Sequence, residues 1–388
     1  MFSRRTDWNL APNRLTLAHQ ETLHNGNKIL DLTTSNPTRA GITYDQSAIV
    51  NALHNSNVLD YDPQPKGLLS ARQAVAQYYA VRSSQVDPES LILTTSTSEG
   101  YSFVFRLLCD PDDEVLVPKP SYPLFDFLAD LQDVKLVPYS LIYDHGWQID
   151  FHSLENACTK RTRAIVLVHP NNPTGSYVSD AERESLNGLC RERNLALIVD
   201  EVFLDYALHQ QPRASFVTNN DVLTFNLSGI SKISALPQMK FAWIAVTGPE
   251  SQVQLAMQRL EVIADTYLSA NAPIQLAAPV LFEQRKTIQP QLVSRVRQNL
   301  AELDRQLGRQ KSCSRLHVQG GWYAVVRIPV TGSDEDFAIE LLRQKYVFVH
   351  PGHFYDFAND GYIVLSLITT QQEFAEGTSA LMGFVGQF

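Results

Sequence analysis

Short apolar runs alternate with longer amphipathic stretches through the middle of this chain. Runs at residues 91–95, 114–117, 135–138, 164–169, 195–200, 222–226 and 241–246 have the length of strands, and helical patterns separate most of them. That alternation is the signature of an α/β layer whose strands are mainly parallel. Between the fourth and fifth runs lies Ser179-Asp-Ala-Glu182, a capping box in which the two side chains satisfy each other's free backbone amides. It predicts a helix from there to about Asn194. Beyond residue 250 the pattern is helical over 250–268 and 289–307, then strand-like over 317–328. The expected fold class is α/β, with a large domain over residues 49–285 carrying a mostly parallel central sheet flanked by helices. A smaller α+β domain is expected from both chain ends, residues 1–48 supplying an N-terminal segment and part of it, and 286–388 the rest.

Composition narrows the partners. The 388 residues are 44% hydrophobic and 19% charged, which is ordinary for a globular chain and ample for a large core. A formal net charge of -9, with no block of five or more Lys or Arg, argues against nucleic acid. No apolar run approaches membrane-spanning length, so the expectation is a soluble, unexported protein without a membrane partner. Cys109, Cys158, Cys190 and Cys313 are far apart and form no Cys-x-x-Cys pair. Neither a disulfide framework nor a zinc site is suggested, and a reducing cytoplasm fits.

The chemistry lies just beyond the predicted strands. Ligands of open α/β sheets gather outside the carboxyl ends of the strands, and Thr95-Ser-Thr-Ser98, Asn172, Asp200 and Ser228 each follow one. Lys232 sits among small and apolar neighbours in Ser228-Gly-Ile-Ser-Lys-Ile-Ser-Ala-Leu-Pro, where an amine can lose its proton and condense with an aldehyde. Asp200 ends the run Leu-Ala-Leu-Ile-Val, and a carboxylate leaving a buried strand needs a cationic partner such as a protonated ring nitrogen. Glu201 next to it should face the other way, which speaks against an acid/base dyad. The hydroxyls and free amides of Ser96, Thr97 and Ser98 at a helix start suit a phosphate dianion. Together these describe a holder for pyridoxal phosphate. Each has a plainer alternative: a solvated lysine, a capping aspartate, ordinary N-capping by Ser and Thr.

Asn171-Asn-Pro-Thr-Gly175 and the lysine segment, in that order and spacing, resemble the class I/II aminotransferases of PLP fold type I, the aspartate aminotransferase superfamily, over nearly the whole chain. The resemblance implies that Asn172 bonds the coenzyme's phenolic oxygen and that Tyr122, in Pro-Ser-Tyr-Pro, stacks on its ring. It also implies that Ser96, Thr97, Ser98, Ser231 and Lys240 serve the phosphate, and that Tyr61 reaches the phosphate of a neighbouring subunit, hence a homodimer with shared sites. The implied activity moves an amino group from an amino acid to a 2-oxo acid through pyridoxamine phosphate, Lys232 carrying the proton and Asp200 sustaining the electron sink. A pyridoxal-phosphate carbon-sulfur lyase or other eliminating enzyme is the alternative, and a non-catalytic sensing module a more distant one.

Four positions depart from the family pattern. Phe203 stands where a tyrosine is usual, removing a hydroxyl from the phenolic oxygen. Lys240 replaces an arginine fork with a point charge. Gly229 replaces a serine that donates to the phosphate in many relatives. Val364, in Gly361-Tyr-Ile-Val-Leu-Ser-Leu367, takes the place of the arginine that clamps the substrate carboxylate. Arg39, Lys66, Arg213 and Arg327 are candidate substitutes, with Arg39, and Asn36 beside it, favoured because that segment lines the substrate mouth in relatives. His350-Pro-Gly-His353 reads as a loop over the site and not as a metal motif, and His169 as a hydrogen-bonded strand-end residue.

Overall fold

Three interior strands explain the shape of the large sheet. The Ala-Ile-Val-Leu-Val stretch of residues 164–168, Ala-Leu-Ile-Val of 196–199 and the Thr224–Gly229 segment are buried along their length. Strands of that kind must be covered on both faces. Their side chains alternate accordingly: Val166, Ile198 and Phe225 pack into one apolar cluster, Leu167, Leu197 and Val199 into another. The computed structural model describes all residues except 124, 209–213, 330–331 and 387–388.

Eight strands form this sheet: β1 (Leu91–Thr94), β2 (Glu114–Lys119), β3 (Lys135–Tyr143), β4 (Trp147–Ile149), β5 (Thr162–Val168), β6 (Ala196–Asp200), β7 (Thr224–Gly229) and β8 (Ala242–Thr247), in the spatial order β1-β8-β7-β6-β5-β2-β3-β4. β8 runs antiparallel to both its neighbours and β4 antiparallel to β3, while the remaining pairings are parallel. All seven predicted strands are present. β4 was not expected, because three residues with a polar one in the middle carry too little pattern; it completes a hairpin with the extended end of β3. The capping box is formed as read, with the helix Asp180–Arg193 closed by Asn194 in the left-handed conformation.

Later in the chain the reading needs correction. The strand expected over 317–328 is confined to Tyr323–Arg327, since Gly320-Gly321 breaks the segment. It joins Ser314–Arg315, His350–Pro351 and Tyr362–Ser366 in a four-stranded sheet. A helix at Ala272–Glu283, with Pro279 inside it, went unseen, and the helix expected from 289 begins at Arg285 and carries Pro290. In both cases proline masked a helical periodicity that packing restores. The two chain ends meet: Leu30–Asp31 pairs in parallel with Val347–Phe348, and Arg14 on the helix Arg14–His24 reaches Glu335 and Asp336. Among the described residues, no helix is long and apolar enough to cross a membrane.

Candidate active site

The carboxyl ends of β1, β5, β6 and β7 open on one cleft of about 310 Å³. β6 delivers Asp200, the turn after β5 delivers Asn172, and the helical turn Ile230–Ile233 after β7 delivers Lys232. After β1, Ser96 caps the helix Thr97–Leu108, its hydroxyl accepting from the Glu99 amide at 3.2 Å. The Glu99 carboxylate in turn takes the Thr95 amide at 2.7 Å. This helix is twelve residues long, so its N-terminus presents a developed positive end and unpaired amides beside the Thr97 and Ser98 hydroxyls.

Burial sets the protonation of the two charged residues. Desolvation pushes the Lys232 ammonium down to about 8, against the opposing pull of Asp200. Its Nζ lies 5.0 Å from the Trp322 ring centre and 5.6 Å from that of Phe203, so aromatic faces and not water surround the charge. Desolvation likewise pushes the Asp200 carboxyl up to about 6, opposed by the Val202 amide, the Tyr101 hydroxyl and Lys232. The Val202 amide donates to Oδ1 at 3.1 Å and Tyr101 to Oδ2 at 3.3 Å. Tyr101 was missed by sequence reasoning, though its place on the inward face of the helix that follows the Ser-Thr cluster was the available signal. Tyr206 was missed as well: its hydroxyl donates to the Lys232 carbonyl at 2.5 Å and pins the short helix.

One polar group in the cleft is left over. Asn172 is 7% exposed, and its side-chain oxygen has no hydrogen-bond partner among the described residues. A buried orphan of this kind is costly unless a ligand satisfies it. Gly229 has a steric reason to lack a side chain: a Cβ there would sit 2.9 Å from the Cβ of Ala242 and 3.0 Å from the Phe241 carbonyl oxygen.

Asp200, Asn172, Lys232, Tyr122, Ser96, Thr97, Ser98, Ser231 and Lys240 all line this cleft. Lys240, in the left-handed conformation after the turn Pro237–Met239, is exposed at its edge. Three candidates lie elsewhere in the chain. Tyr61 is 84% exposed and borders a separate cleft with Asp60, Leu268 and Asn271. Asn36 caps the turn Pro37–Arg39, its side chain accepting from the Thr38 amide at 3.0 Å, and Arg39 is exposed beyond the cleft wall. Of the other cations considered, Lys66 pairs with Glu89, Arg327 lies over the Tyr362 ring, and Arg213 falls outside the described residues. Val364 is 1% exposed, packed in the apolar cluster of the small sheet. Phe203 is buried beside Tyr206, Trp322 and Tyr323. Ser35 and Tyr323, also unforeseen, complete the outer wall.

The remaining readings concern neighbours of the cleft. Glu201 faces away from it, taking Ser215 Oγ and the Phe216 amide, both at 2.6 Å, and burial pushes its carboxyl up to about 7. His169 accepts the Val178 amide at Nδ1, 3.1 Å, as a strand-end residue. His350 bonds the Tyr355 hydroxyl through Nδ1 at 3.0 Å.

The family described as aminotransferase class I and II matches residues 27–380. Glutamate-pyruvate aminotransferase AlaA of Haemophilus influenzae is 26% identical over 384 residues, covering 95% of this chain and 94% of that one. An alanine aminotransferase of Mycobacterium tuberculosis is 27% identical over 373 residues, 93% of this chain and 86% of that one. Among solved structures, alanine aminotransferase from Pyrococcus furiosus superposes with a TM-score of 0.89 at 22% identity over the full length of both, a likeness of fold.

Proposed function

This chain belongs to the aminotransferase class I and II family and is a transaminase of fold type I, and from that premise we propose that it holds pyridoxal phosphate in the cleft around Lys232 and carries an amino group from an amino acid to a 2-oxo acid. When bound, that coenzyme supplies an aldehyde that condenses with amines and a ring that withdraws electrons. Lys232 is the amine for the aldehyde, Asp200 the partner of the ring nitrogen and the Asn172 side-chain N–H the donor to the phenolic oxygen. Tyr122 lies against the ring, while Ser96, Thr97, Ser98, Ser231 and Lys240 take the phosphate. Freed by an incoming substrate, the Lys232 Nζ is a base poised near neutrality that takes a proton from the substrate carbon and returns it. The Asp200 carboxylate, part-buried and with hydrogen-bond donors on both oxygens, keeps its partner nitrogen protonated.

A homodimer is part of this reading. Tyr61 would serve the phosphate of a second copy, and its surroundings support this: Leu59 and Tyr61 are 88% and 84% exposed in the isolated protomer, an unusual position for large apolar side chains. The alanine and glutamate-pyruvate activities named for the relatives suggest small 2-oxo acids as acceptors, and the reaction would run in the cytoplasm.

The observation that carries the proposal is the depressed Lys232 amine sharing one cleft with Asp200 and Asn172. Borohydride reduction of coenzyme-loaded protein should leave a mass adduct at residue 232. An amino donor offered without an acceptor should stop after one turnover. No adduct at 232, or continued release of pyruvate and ammonia, would refute the reading, the latter in favour of an eliminating enzyme.

A further inference from the structure

The helix that carries Lys232 cannot hold itself. Ile230–Ile233 is four residues long, far below the length at which a helix is stable alone, and it leaves its last carbonyls short of helical partners. Side chains from elsewhere take up the carbonyls along this turn. The Tyr206 hydroxyl donates to that of Lys232 at 2.5 Å, the Gln289 side-chain amide to that of Ile233 at 2.9 Å, and the Tyr44 hydroxyl to that of Ala235 at 2.9 Å. Gln289 has a second partner. Its Nε2 also donates to the Asp205 carboxylate at 2.7 Å, so one nitrogen divides its two hydrogens between the turn of Lys232 and the turn that follows Asp200. A carbonyl and an ion-paired carboxylate only accept, which places the amide nitrogen, and not its oxygen, at this point. Both ends of the link are firm. The Asp205 side chain is 3% exposed, ion-paired with Arg82 and 3.3 Å from the Tyr78 hydroxyl. Gln289 stands near the start of the helix Arg285–Leu307, whose Asn299 donates to the Leu367 and Thr369 carbonyls at 2.9 and 2.8 Å, just past the small-sheet strand Tyr362–Ser366.

We propose that Gln289 is a positioning residue: it clamps the Lys232 turn to the Asp200 turn and so fixes the amine where condensation with the coenzyme and proton transfer require it. It touches neither substrate nor coenzyme and acts through the Ile233 carbonyl alone. A displacement of about 1 Å at a reacting group is enough to cost on the order of a hundredfold in rate, so a clamp one residue from Lys232 is felt in turnover before it is felt in binding. This rests on the transaminase reading above.

Two substitutions separate the roles. Gln289→Met keeps the length of the side chain and removes both hydrogen bonds, while Gln289→Glu keeps its shape and turns a carboxylate oxygen toward two acceptors. In coenzyme-free full-length protein, amide hydrogen exchange over residues 230–236 should quicken about tenfold in the Met variant and further in the Glu variant, with the helix Asp180–Arg193 unchanged. Uptake of pyridoxal phosphate, read as borohydride-fixed mass at residue 232, should slow about tenfold. With glutamate as donor and pyruvate as acceptor, kcat should fall about tenfold for Met and about a hundredfold for Glu, at a KM within about twofold of wild type. The decisive variant combines Asp205→Asn with Gln289→Glu. Exchanging donor and acceptor restores the hydrogen bond between the two residues and keeps the net charge, yet leaves the Ile233 carbonyl facing an acceptor. It should recover wild-type denaturant stability and neither the kcat nor the uptake rate. Recovery of all three together would overturn the inference, and so would single variants whose exchange, uptake and kcat match wild type. If wild type turns over no amino donor while exchange and uptake change as stated, the transaminase reading fails and the clamp stands.

Discussion

The inner and outer walls of the cleft are built from different materials. The inner wall comes from strand ends of the large sheet and carries ionisable or polar groups at fixed points: Asp200, Lys232, Asn172 and the Ser96–Ser98 helix start. The outer wall, from the small sheet and the N-terminal segment, offers Tyr323 and Ser35, backed by the apolar block around Val364. In the proposed function the inner wall binds and activates the coenzyme, and little in it depends on substrate. Among the described residues, what the outer wall brings to the cleft is neutral. In the proposed function, reaction type and substrate choice therefore fall to separate parts of the fold, and variants of the two should fail differently.

The largest effect belongs to Lys232. Lys232→Ala should lower turnover by about 10⁴-fold or more, since both the amine and the proton carrier are lost. Circular dichroism should be unchanged, and borohydride should no longer fix coenzyme at 232. In the wild type, the amine lies near 8 instead of its ordinary 10.5. The rate at which coenzyme-free protein takes up pyridoxal phosphate should thus rise through pH about 8.

Asp200→Asn should cost roughly 10²- to 10³-fold in turnover and weaken coenzyme retention, while removing the pull that holds the Lys232 amine up. Its effect on the coenzyme-free protein runs the other way. The Asp200 carboxyl is raised from 3.8 to about 6, so its charge is penalised in the folded state. Stability from this group is present below pH 3.8 and is lost as pH rises through 6. Asparagine escapes that penalty, and Asp200→Asn should be more stable than wild type above pH 6 by roughly 1–3 kcal/mol. Denaturant melts at pH 4 and pH 7 check this; equal differences at both values would refute it.

What the sequence made legible follows the same division. Inner-wall residues sit at the ends of short apolar runs, and a run ending in Asp200 or followed by Asn172 announces both the strand and a side chain that lines the cleft. The outer wall had no such marker. Tyr323 lies in a segment broken by Gly320-Gly321, Ser35 in an irregular stretch, and their meeting depends on contacts across roughly 290 residues of chain. Tyr101 falls between these cases, since its helix was expected but not which of its residues would reach Asp200. Val364 was recognised as a missing charge from the pattern around it, yet Tyr323 on the adjoining strand could not be read from any spacing.

Gly229→Ser tests whether the inner wall tolerates the hydroxyl that many relatives carry there. Its backbone is extended, so the obstacle is contact and not conformation. The new Cβ would press on Ala242 and the Phe241 carbonyl, part of the β7–β8 pairing that cannot give way cheaply. A loss of about 1–3 kcal/mol in denaturant stability is expected, with coenzyme affinity no better than wild type. A variant of wild-type stability that holds coenzyme more tightly would show that the strands can part.

Phe203→Tyr, the smallest change, acts where the two walls touch. The ring is buried against Tyr206, Trp322 and Tyr323, with the Lys232 Nζ 5.6 Å from its centre. A hydroxyl added there would supply the phenolic oxygen of bound coenzyme with the donor this chain lacks. Without that donor, the negative charge on the oxygen is less stabilised, and the coenzyme's link to Lys232 holds its proton to higher pH. One additional hydrogen bond to a charged acceptor is worth about 1.5 kcal/mol or more in isolation, and fitting the hydroxyl among three aromatic neighbours will take back part of it. The proton on the link should therefore leave about 1 pH unit earlier or less in the variant. Spectrophotometric titration of both proteins measures that shift directly, and a titration midpoint that Phe203→Tyr leaves unmoved would separate the outer wall from the electronics of the inner one altogether.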